Sequence, residues 1–277
     1  MTSRIPRADR TQVMGILNVT PDSFSDGGDF FDTTAAIEHG LRLLTEGADI
    51  IDVGGESTRP GTERTSEAEE MRRVLPVVEA LARHGAYVSV DTMRASVASA
   101  AAARGAAIIN DVSGGLADPE MVDAVAESGC AYIVMHWRGH STVMGQRTHY
   151  DDVIADVCRE TGEQVERALA AGIAADNIIT DPGIGFATTA EQNWQLLRGI
   201  DAFRRLGYPV LIAVSRKRFL GTLLAREGWQ TTPRQRDYAT AAITAWMAER
   251  GLWAVRTHSV RAQREAIAVV EELRKEA

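Results

Sequence analysis

The chain lacks the features that would send it to a membrane, a nucleic acid or an oxidising compartment. It has 2 cysteines in 277 residues, Cys130 and Cys158. They stand far apart, in an expected strand and an expected helix, and read as free thiols rather than a disulfide or metal pair. No apolar run is long enough to span a bilayer. The Ala-rich stretch from Ala95 to Ala103 is short and reads as a helix. The first residues, Met1 to Arg10, are polar and basic, without the apolar centre of a signal peptide. Positive charge is not in excess: 30 Lys and Arg face 38 Asp and Glu, a formal net charge of −8. That balance argues against non-specific binding to nucleic acid or to an anionic membrane. An anionic substrate must instead meet a local cluster of Arg and Lys. A cytoplasmic protein with small-molecule substrates is the simplest account.

What the chain does have is a repeating pattern. Apolar residues make up 45% of it, enough for a large core, and 24 glycines suggest many tight turns. Apolar runs recur at Val13–Leu17, Ile50–Val53, Tyr87–Val90, Ala107–Ile109, Ala131–Met135, Ile178–Thr180, Val210–Val214 and Trp253–Val255. Continuous runs of this length fit strands buried on both faces, as in a parallel sheet. Amphipathic segments alternate with them: Thr34–Gly47, Ser66–His84, Ala95–Arg104, Pro119–Gly129, Asp151–Gly172 and Arg261–Lys275. Ser66 and Glu69 form a capping signal at the second. Gly47, Gly85, Gly105, Gly129 and Gly172 each follow a helix, as expected just past a C-terminus. Eight strand–helix units without a linker predict one α/β domain over residues 1–277, a (β/α)8 TIM barrel. Residues 1–11 are expected to form a flexible tail ahead of it.

The chain is organised around Met14–Gly28. There an apolar run stops at Asn18 and gives way to Thr20, Pro21, Asp22, Ser23, Phe24, Ser25, Asp26 and a Gly pair. A helix cap by Asp22 or Asp32 is the plain explanation. Capping alone does not call for Asn, Phe and two Asp in one loop. In such barrels the active site lies at the C-terminal ends of the strands. Those ends carry Asn18, Gly54-Gly-Glu-Ser-Thr-Arg-Pro60, Asp91, Asn110, Met135-His136, Asp181, Ser215-Arg-Lys217 and Arg256-Thr-His258. Each alone has a dull explanation, but their convergence on one rim is hard to dismiss.

Together these segments resemble the dihydropteroate synthase family. The resemblance rests on Gly15–Gly28, Gly55-Glu-Ser-Thr-Arg-Pro-Gly61, Ser89-Val-Asp-Thr-Met93, Ile109-Asn-Asp-Val-Ser-Gly114, Asp181-Pro-Gly-Ile-Gly-Phe186, Ser215-Arg-Lys-Arg-Phe219 and Arg256-Thr-His258. It runs in order from about Gln12 to the last helix. It implies condensation of 6-hydroxymethyl-7,8-dihydropterin pyrophosphate with p-aminobenzoate, giving 7,8-dihydropteroate and pyrophosphate. It also implies a transferase of folate biosynthesis that requires Mg²⁺, is a sulfonamide target and forms a homodimer. Trp246 and other exposed apolar residues of the last helices would serve the dimer.

The resemblance assigns roles that the chemistry makes sensible. A pterin has a guanine-like edge, with two donors beside a carbonyl. The Asp181 carboxylate would accept from the donors, and such charge-assisted bonds are strong. Asn110 would donate and accept along the same edge. Lys217 would donate to the ring carbonyl and N5. Asp91 is similar to a further pterin ligand, and Met135 would line the pocket. Arg256 and His258, with Thr58 and Arg59, would meet the pyrophosphate as its charge develops, Arg256 could also stack over the pterin face, and Thr257 would be a further substrate-binding residue. Asn18 resembles the family's Mg²⁺ ligand. Asp26 would stabilise a pterin cation formed when the C–O bond breaks. Phe24, Pro60 and Phe186 would wall the p-aminobenzoate ring, with its carboxylate at the helix start after Ser215. Many relatives have Lys where Thr188 stands, and some have Ser where Arg218 stands. Arg218 could pair with the carboxylate or point to solvent.

Other readings compete. A pterin-dependent methyltransferase would share the pterin-edge residues, but Arg256, His258 and the Ser-Thr-Arg-Pro loop argue against it. A non-catalytic pterin-binding paralogue would be expected to lose Asp26, Arg59, Lys217 or Arg256, and none is lost. A metal hydrolase would rest on His136 and His140, yet Trp137-Arg-Gly139 between them reads as loop.

Overall fold

A computed structural model describes residues 3–20, 33–56, 65–140 and 142–275. Among them, eight strands alternate with helices. The strands are β1 (Gln12–Asn18), β2 (Ile50–Gly54), β3 (Val88–Asp91), β4 (Ile108–Asp111), β5 (Ala131–Met135), β6 (Ile178–Asp181), β7 (Leu211–Ile212) and β8 (Ala254–Thr257). All the strand pairs are parallel, in the order β6-β5-β4-β3-β2-β1-β8-β7. A bridge between Thr180 and Val210 joins β6 to β7 and closes the ring. The result is the expected (β/α)8 barrel.

The helices are α1 (Thr33–Thr45), α2 (Glu67–Arg83), α3 (Ala95–Ala102), α4 (Met121–Ser128), α5 (Val153–Ala170), α6 (Ala190–Arg198), α7 (Ile200–Arg204), α8 (Arg218–Arg226), α9 (Asp237–Glu249) and α10 (Val260–Leu273). The periodicity singles out six of them and passes over α6 to α9. The predicted Ser66 cap is present, its side chain accepting from Glu69 N–H at 3.3 Å. The reciprocal half of the capping box is not, because the Glu69 carboxylate turns to Arg72 and Arg73 instead.

Side chains alternate along each strand, and the two faces differ. Outward residues such as Val13, Leu17, Ile51, Val53, Val88 and Val90 pack under the helices. Inward residues near the strand starts, including Met14, Ile50, Ile108, Ile133, Ile179 and Leu211, fill the barrel. Nearer the strand ends the interior turns polar, with Asp52, Asp91, Asn110 and Asp181 all buried. Buried polar groups must find partners. The upper interior is therefore a network held in a dry frame.

Residues 3–11 do not form the expected free tail. Ile5 is 8% exposed and joins the interior cluster at the bottom of the barrel. Arg4 N–H donates to Asn177 Oδ1 at 2.8 Å, and the Pro6 carbonyl accepts from Gln12 Nε2 and Trp253 Nε1. The polar composition concealed a plug anchored by one isoleucine and by backbone hydrogen bonds.

Candidate active site

Strand register sets the site. Gly54 pairs with both Asn18 and Asp91, and Asp91 pairs with Asn110, so these residues share the upper rim. A Cβ on Gly54 would lie 3.7 Å from Asp91 Oδ2 and 3.8 Å from Asn18 Oδ1. The glycine thus leaves room for two oxygens that face one spot.

Arg256 on β8 crosses the interior. Its Nη2 donates to Asp91 Oδ2 and its Nε to Asp52 Oδ2, each at 2.6 Å. Asn110 Nδ2 donates to the same Asp52 oxygen at 3.0 Å. Burial works against the Arg256 charge, but Asp52 and Asp91 outweigh it and hold the guanidinium above its ordinary value. Burial pushes the Asp91 carboxyl up to about 7, with Arg256 pulling it down and Asp52 and Glu70 adding to the rise.

Asp181 ends β6 and begins a tight turn. Its Oδ1 accepts from Gly183 N–H at 2.7 Å. Gly183 has φ +67°, and a Cβ there would come within 2.5 Å of the His136 carbonyl, so the turn requires glycine. Burial raises Asp181 to about 6, against the lowering effect of Lys217, the Gly183 N–H and Arg256. Burial also draws Lys217 down to about 8, with Asp181 opposing and Arg256 reinforcing. Lys217 Nζ donates to the Ile184 carbonyl and lies 4.7 Å from the centre of the Phe186 ring. Its direction follows from its neighbour: Arg216 sits in the left-handed region at φ 62° and is clamped bidentately to Asp237 at 2.8 Å. A non-glycine residue there stores strain, and the ion pair helps hold it.

Ser215 Oγ pairs with His258 Nδ1 at 3.0 Å and accepts from His258 N–H at 3.2 Å. Thr257 is 1% exposed, and its hydroxyl braces Ser215 Oγ and Ser259 N–H. It supports the rim from below. Met135 is buried at the end of β5, its carbonyl held by Gln164 Nε2 at 3.2 Å. Thr188 donates to Asn193 Oδ1 and accepts from Gly185 N–H, which makes it a brace of the loop after β6. Arg218 is exposed at the first position of α8. His136 is buried and paired with Glu160 at 2.9 Å. No cluster of metal-ligating side chains occurs among the described residues. Phe24, Asp26, Thr58, Arg59 and Pro60 lie outside the described residues.

Asp52 is the site residue that the motifs did not flag. It sits inside the apolar run Ile50–Val53, fully buried. An acid in a strand expected to be buried on both faces must be paired, and that conflict was the available signal. Arg94 was also passed over. It joins Glu56 at 2.8 Å to the buried Glu70 and donates to the Thr65 carbonyl.

The barrel rim thus presents acceptors (Asp181, Asp91, Asn18) and donors (Lys217, Arg256) at the C-terminal ends of the strands, where (β/α)8-barrel enzymes carry their active sites. The pattern of pterin-binding enzymes matches residues 14–258. The dihydropteroate synthase of Mycobacterium leprae is 49% identical over 261 residues, covering 94% of this chain and 92% of that protein. The structure of Xanthomonas albilineans dihydropteroate synthase with 4-aminobenzoic acid superposes with a TM-score of 0.89 at 43% identity, covering 97% of this chain and 95% of that one. A Yersinia pestis dihydropteroate synthase with a sulfonamide drug complex gives 0.90 at 41% identity, covering 99% and 98%. The chain belongs to the dihydropteroate synthase family.

Proposed function

We propose that this chain condenses 6-hydroxymethyl-7,8-dihydropterin pyrophosphate with p-aminobenzoate, releasing pyrophosphate and forming 7,8-dihydropteroate. The observation that carries the reading is the convergence of Asp181, Asn110, Lys217, Arg256 and Asp91 at one barrel mouth. Asp181 accepts from the ring N–H and exocyclic amine. Lys217, which already seeks a carbonyl acceptor in the free protein, turns to the ring carbonyl and N5. Arg256 lies against the pterin between its two carboxylates. A buried site built for one hydrogen-bonding edge rejects analogues that leave its own groups unpaired.

In the reaction the C–O bond to pyrophosphate breaks and the electron pair leaves with the pyrophosphate. The amine of p-aminobenzoate then bonds to the exocyclic carbon and loses a proton. Asp26, by family resemblance, stabilises the pterin cation in between. Phe24, Thr58, Arg59, Pro60 and Phe186 contribute the p-aminobenzoate walls and phosphate contacts. The p-aminobenzoate carboxylate meets the first turn of α8, whose N-cap position, Lys217, makes no side-chain cap bond. Asn18 Oδ1 beside Asp91 is the kind of hard oxygen that suits Mg²⁺, which fills most of its shell with water and phosphate. When bound there, Mg²⁺ would neutralise charge on the departing pyrophosphate. We further assign residues 1–277 to one pterin-binding domain that works as a cytoplasmic homodimer and is open to sulfonamides. No helix among the described residues is long and apolar enough to cross a membrane.

The test is pyrophosphate release with each substrate omitted in turn. Release that needs both the pterin pyrophosphate and p-aminobenzoate, and falls on chelation of Mg²⁺, is expected. Undiminished release without p-aminobenzoate would make the chain a hydrolase and overturn the proposal.

A further inference from the structure

Asp52 touches no substrate in the mechanism above, yet it lies under the residues that do. It stands two positions below Gly54 on β2, beside Ser89 rather than Asp91 in the register, and is 0% exposed. Its Oδ2 accepts from both Asn110 Nδ2 at 3.0 Å and Arg256 Nε at 2.6 Å. Its Oδ1 has no hydrogen-bond partner among the described residues.

A carboxylate accepts and cannot donate. Only the NH₂ side of Asn110 can therefore face Asp52. Turning the amide over would set its oxygen against a carboxylate oxygen at close range in a dry interior, where unpaired or repelling polar groups are costly. Without Asp52, the amide torsion is broad and both orientations compete. The orientation matters for recognition. With its nitrogen directed down, Asn110 presents its oxygen on the other side as an acceptor. Asp181 is an acceptor too, and Lys217 supplies the donor.

We infer that Asp52 is a positioning residue that sets the polarity of the pterin-reading edge by locking the Asn110 amide with its oxygen toward the ligand. The inference rests on the proposed pterin site. It names the feature selected: a heterocycle that brings a donor to Asn110, not one that brings a carbonyl there.

The test is a double-mutant cycle on the full chain, read by calorimetric titration with 6-hydroxymethylpterin at neutral pH. Asp52→Ala is expected to weaken binding about tenfold or more, the scale of a hydrogen bond to a charged group. Asp52→Asn, which keeps an oxygen where Oδ2 stands, is expected to recover to within about threefold of wild type. In an Asn110→Ala background, Asp52→Ala should cost several-fold less than it does in wild type, because the part that runs through Asn110 is gone and only the part that runs through Arg256 Nε remains. Melting temperatures establish that each variant folds. Should Asp52→Ala fail to fold, Asp52→Ser, too short to reach Asn110, takes its place. An equal loss in both backgrounds would make Asp52 a general structural support and overturn the inference. So would Asp52→Ala binding like wild type while wild type binds pterin. Wild-type protein that binds no pterin overturns the functional reading, and the inference with it.

Discussion

Replacing Asp181 with Asn should move stability and ligand affinity in opposite directions. In the free protein Asp181 Oδ1 is engaged by Gly183 N–H at 2.7 Å. An asparagine would keep that bond through its amide oxygen. Its NH₂ would then occupy the place of the second carboxylate oxygen, where the pterin N–H and amine arrive. Two acceptor interactions become a donor–donor clash. Removing a buried charged partner of this kind costs about 2–5 kcal/mol. Pterin affinity should therefore fall by about 30-fold or more.

The free protein gains from the same change. The carboxyl rises from 3.8 to about 6 on folding, driven mainly by burial. A folded-state value above the unfolded one means no burden below about pH 4, and a growing one until pH passes about 6. At neutral pH that rise corresponds to about 3 kcal/mol against folding. Asparagine removes it. That figure already includes the attraction of Lys217, and the buried asparagine amide, which must itself be desolvated, offsets part of the gain. The expected outcome is a melting temperature a few degrees higher without ligand and a calorimetric titration with little or no pterin binding. Wild-type affinity in the variant would sink the edge assignment. A lower melting temperature together with lost binding would show that Asp181 mainly anchors its turn.

Three further outcomes are expected. Asp26→Ala should lower kcat far more than it weakens substrate binding; an unchanged kcat with a raised KM would reduce Asp26 to a loop-positioning role. Pterin affinity should decline as pH rises past about 8, where Lys217 gives up its proton, and binding near that pH should take up protons. Calorimetry in buffers of different ionisation heat checks this, and an affinity flat to strongly alkaline pH would refute it. Finally, p-aminobenzoate should bind more tightly once pterin, Mg²⁺ and pyrophosphate are present, by about 1–3 kcal/mol. Equal affinity in both titrations would mean that its site is complete in the free protein.

How much of this was legible in the sequence depends on burial. Strands were readable because all of their faces are covered, so apolar runs such as Ala131–Met135 coincide with strand limits. Strand ends were readable because each run stops where the barrel opens. The weakest reading was between β6 and β8. There Val210–Val214 shrinks to the two residues of β7, and α6 to α9 escape notice. The low amphipathic contrast of α9 explains part of that: it is rich in alanine, with buried Thr240 and Thr244 among apolar neighbours. Asp52 was hidden for a different reason. Nothing next to it in sequence is its partner, since Asn110 and Arg256 come from β4 and β8. Arg216 was likewise unreadable, because Asp237, the acid paired with it, lies at the start of α9 and not in a local turn signal.

The charge inventory of the barrel mouth constrains where the pyrophosphate can lie. Asp52, Asp91 and Asp181 stand with Lys217 and Arg256, so carboxyl groups outnumber basic side chains, with Asp91 pushed up to about 7 and so partly protonated at neutral pH. Arg256 has already given Nε and Nη2 to two carboxylates, and its charge is spent on them. The sequence suggests Arg256 both as a phosphate partner and as a group over the pterin face; its contacts with Asp52 and Asp91 favour the second. A strongly anionic group would be repelled by a cluster of this sign, since in a low-dielectric setting an excess charge is felt at several ångströms. On the proposed reading the leaving group therefore sits above the cluster and to one side. Ser215 and His258, paired at 3.0 Å, offer a hydroxyl and an imidazole together. Asn18 ends β1, the strand beside β8, and on the proposed reading a divalent cation there would supply what Arg256 cannot. On the proposed reading the acids of the floor have two roles: they read the pterin, and they keep its pyrophosphate tail pointing out of the barrel.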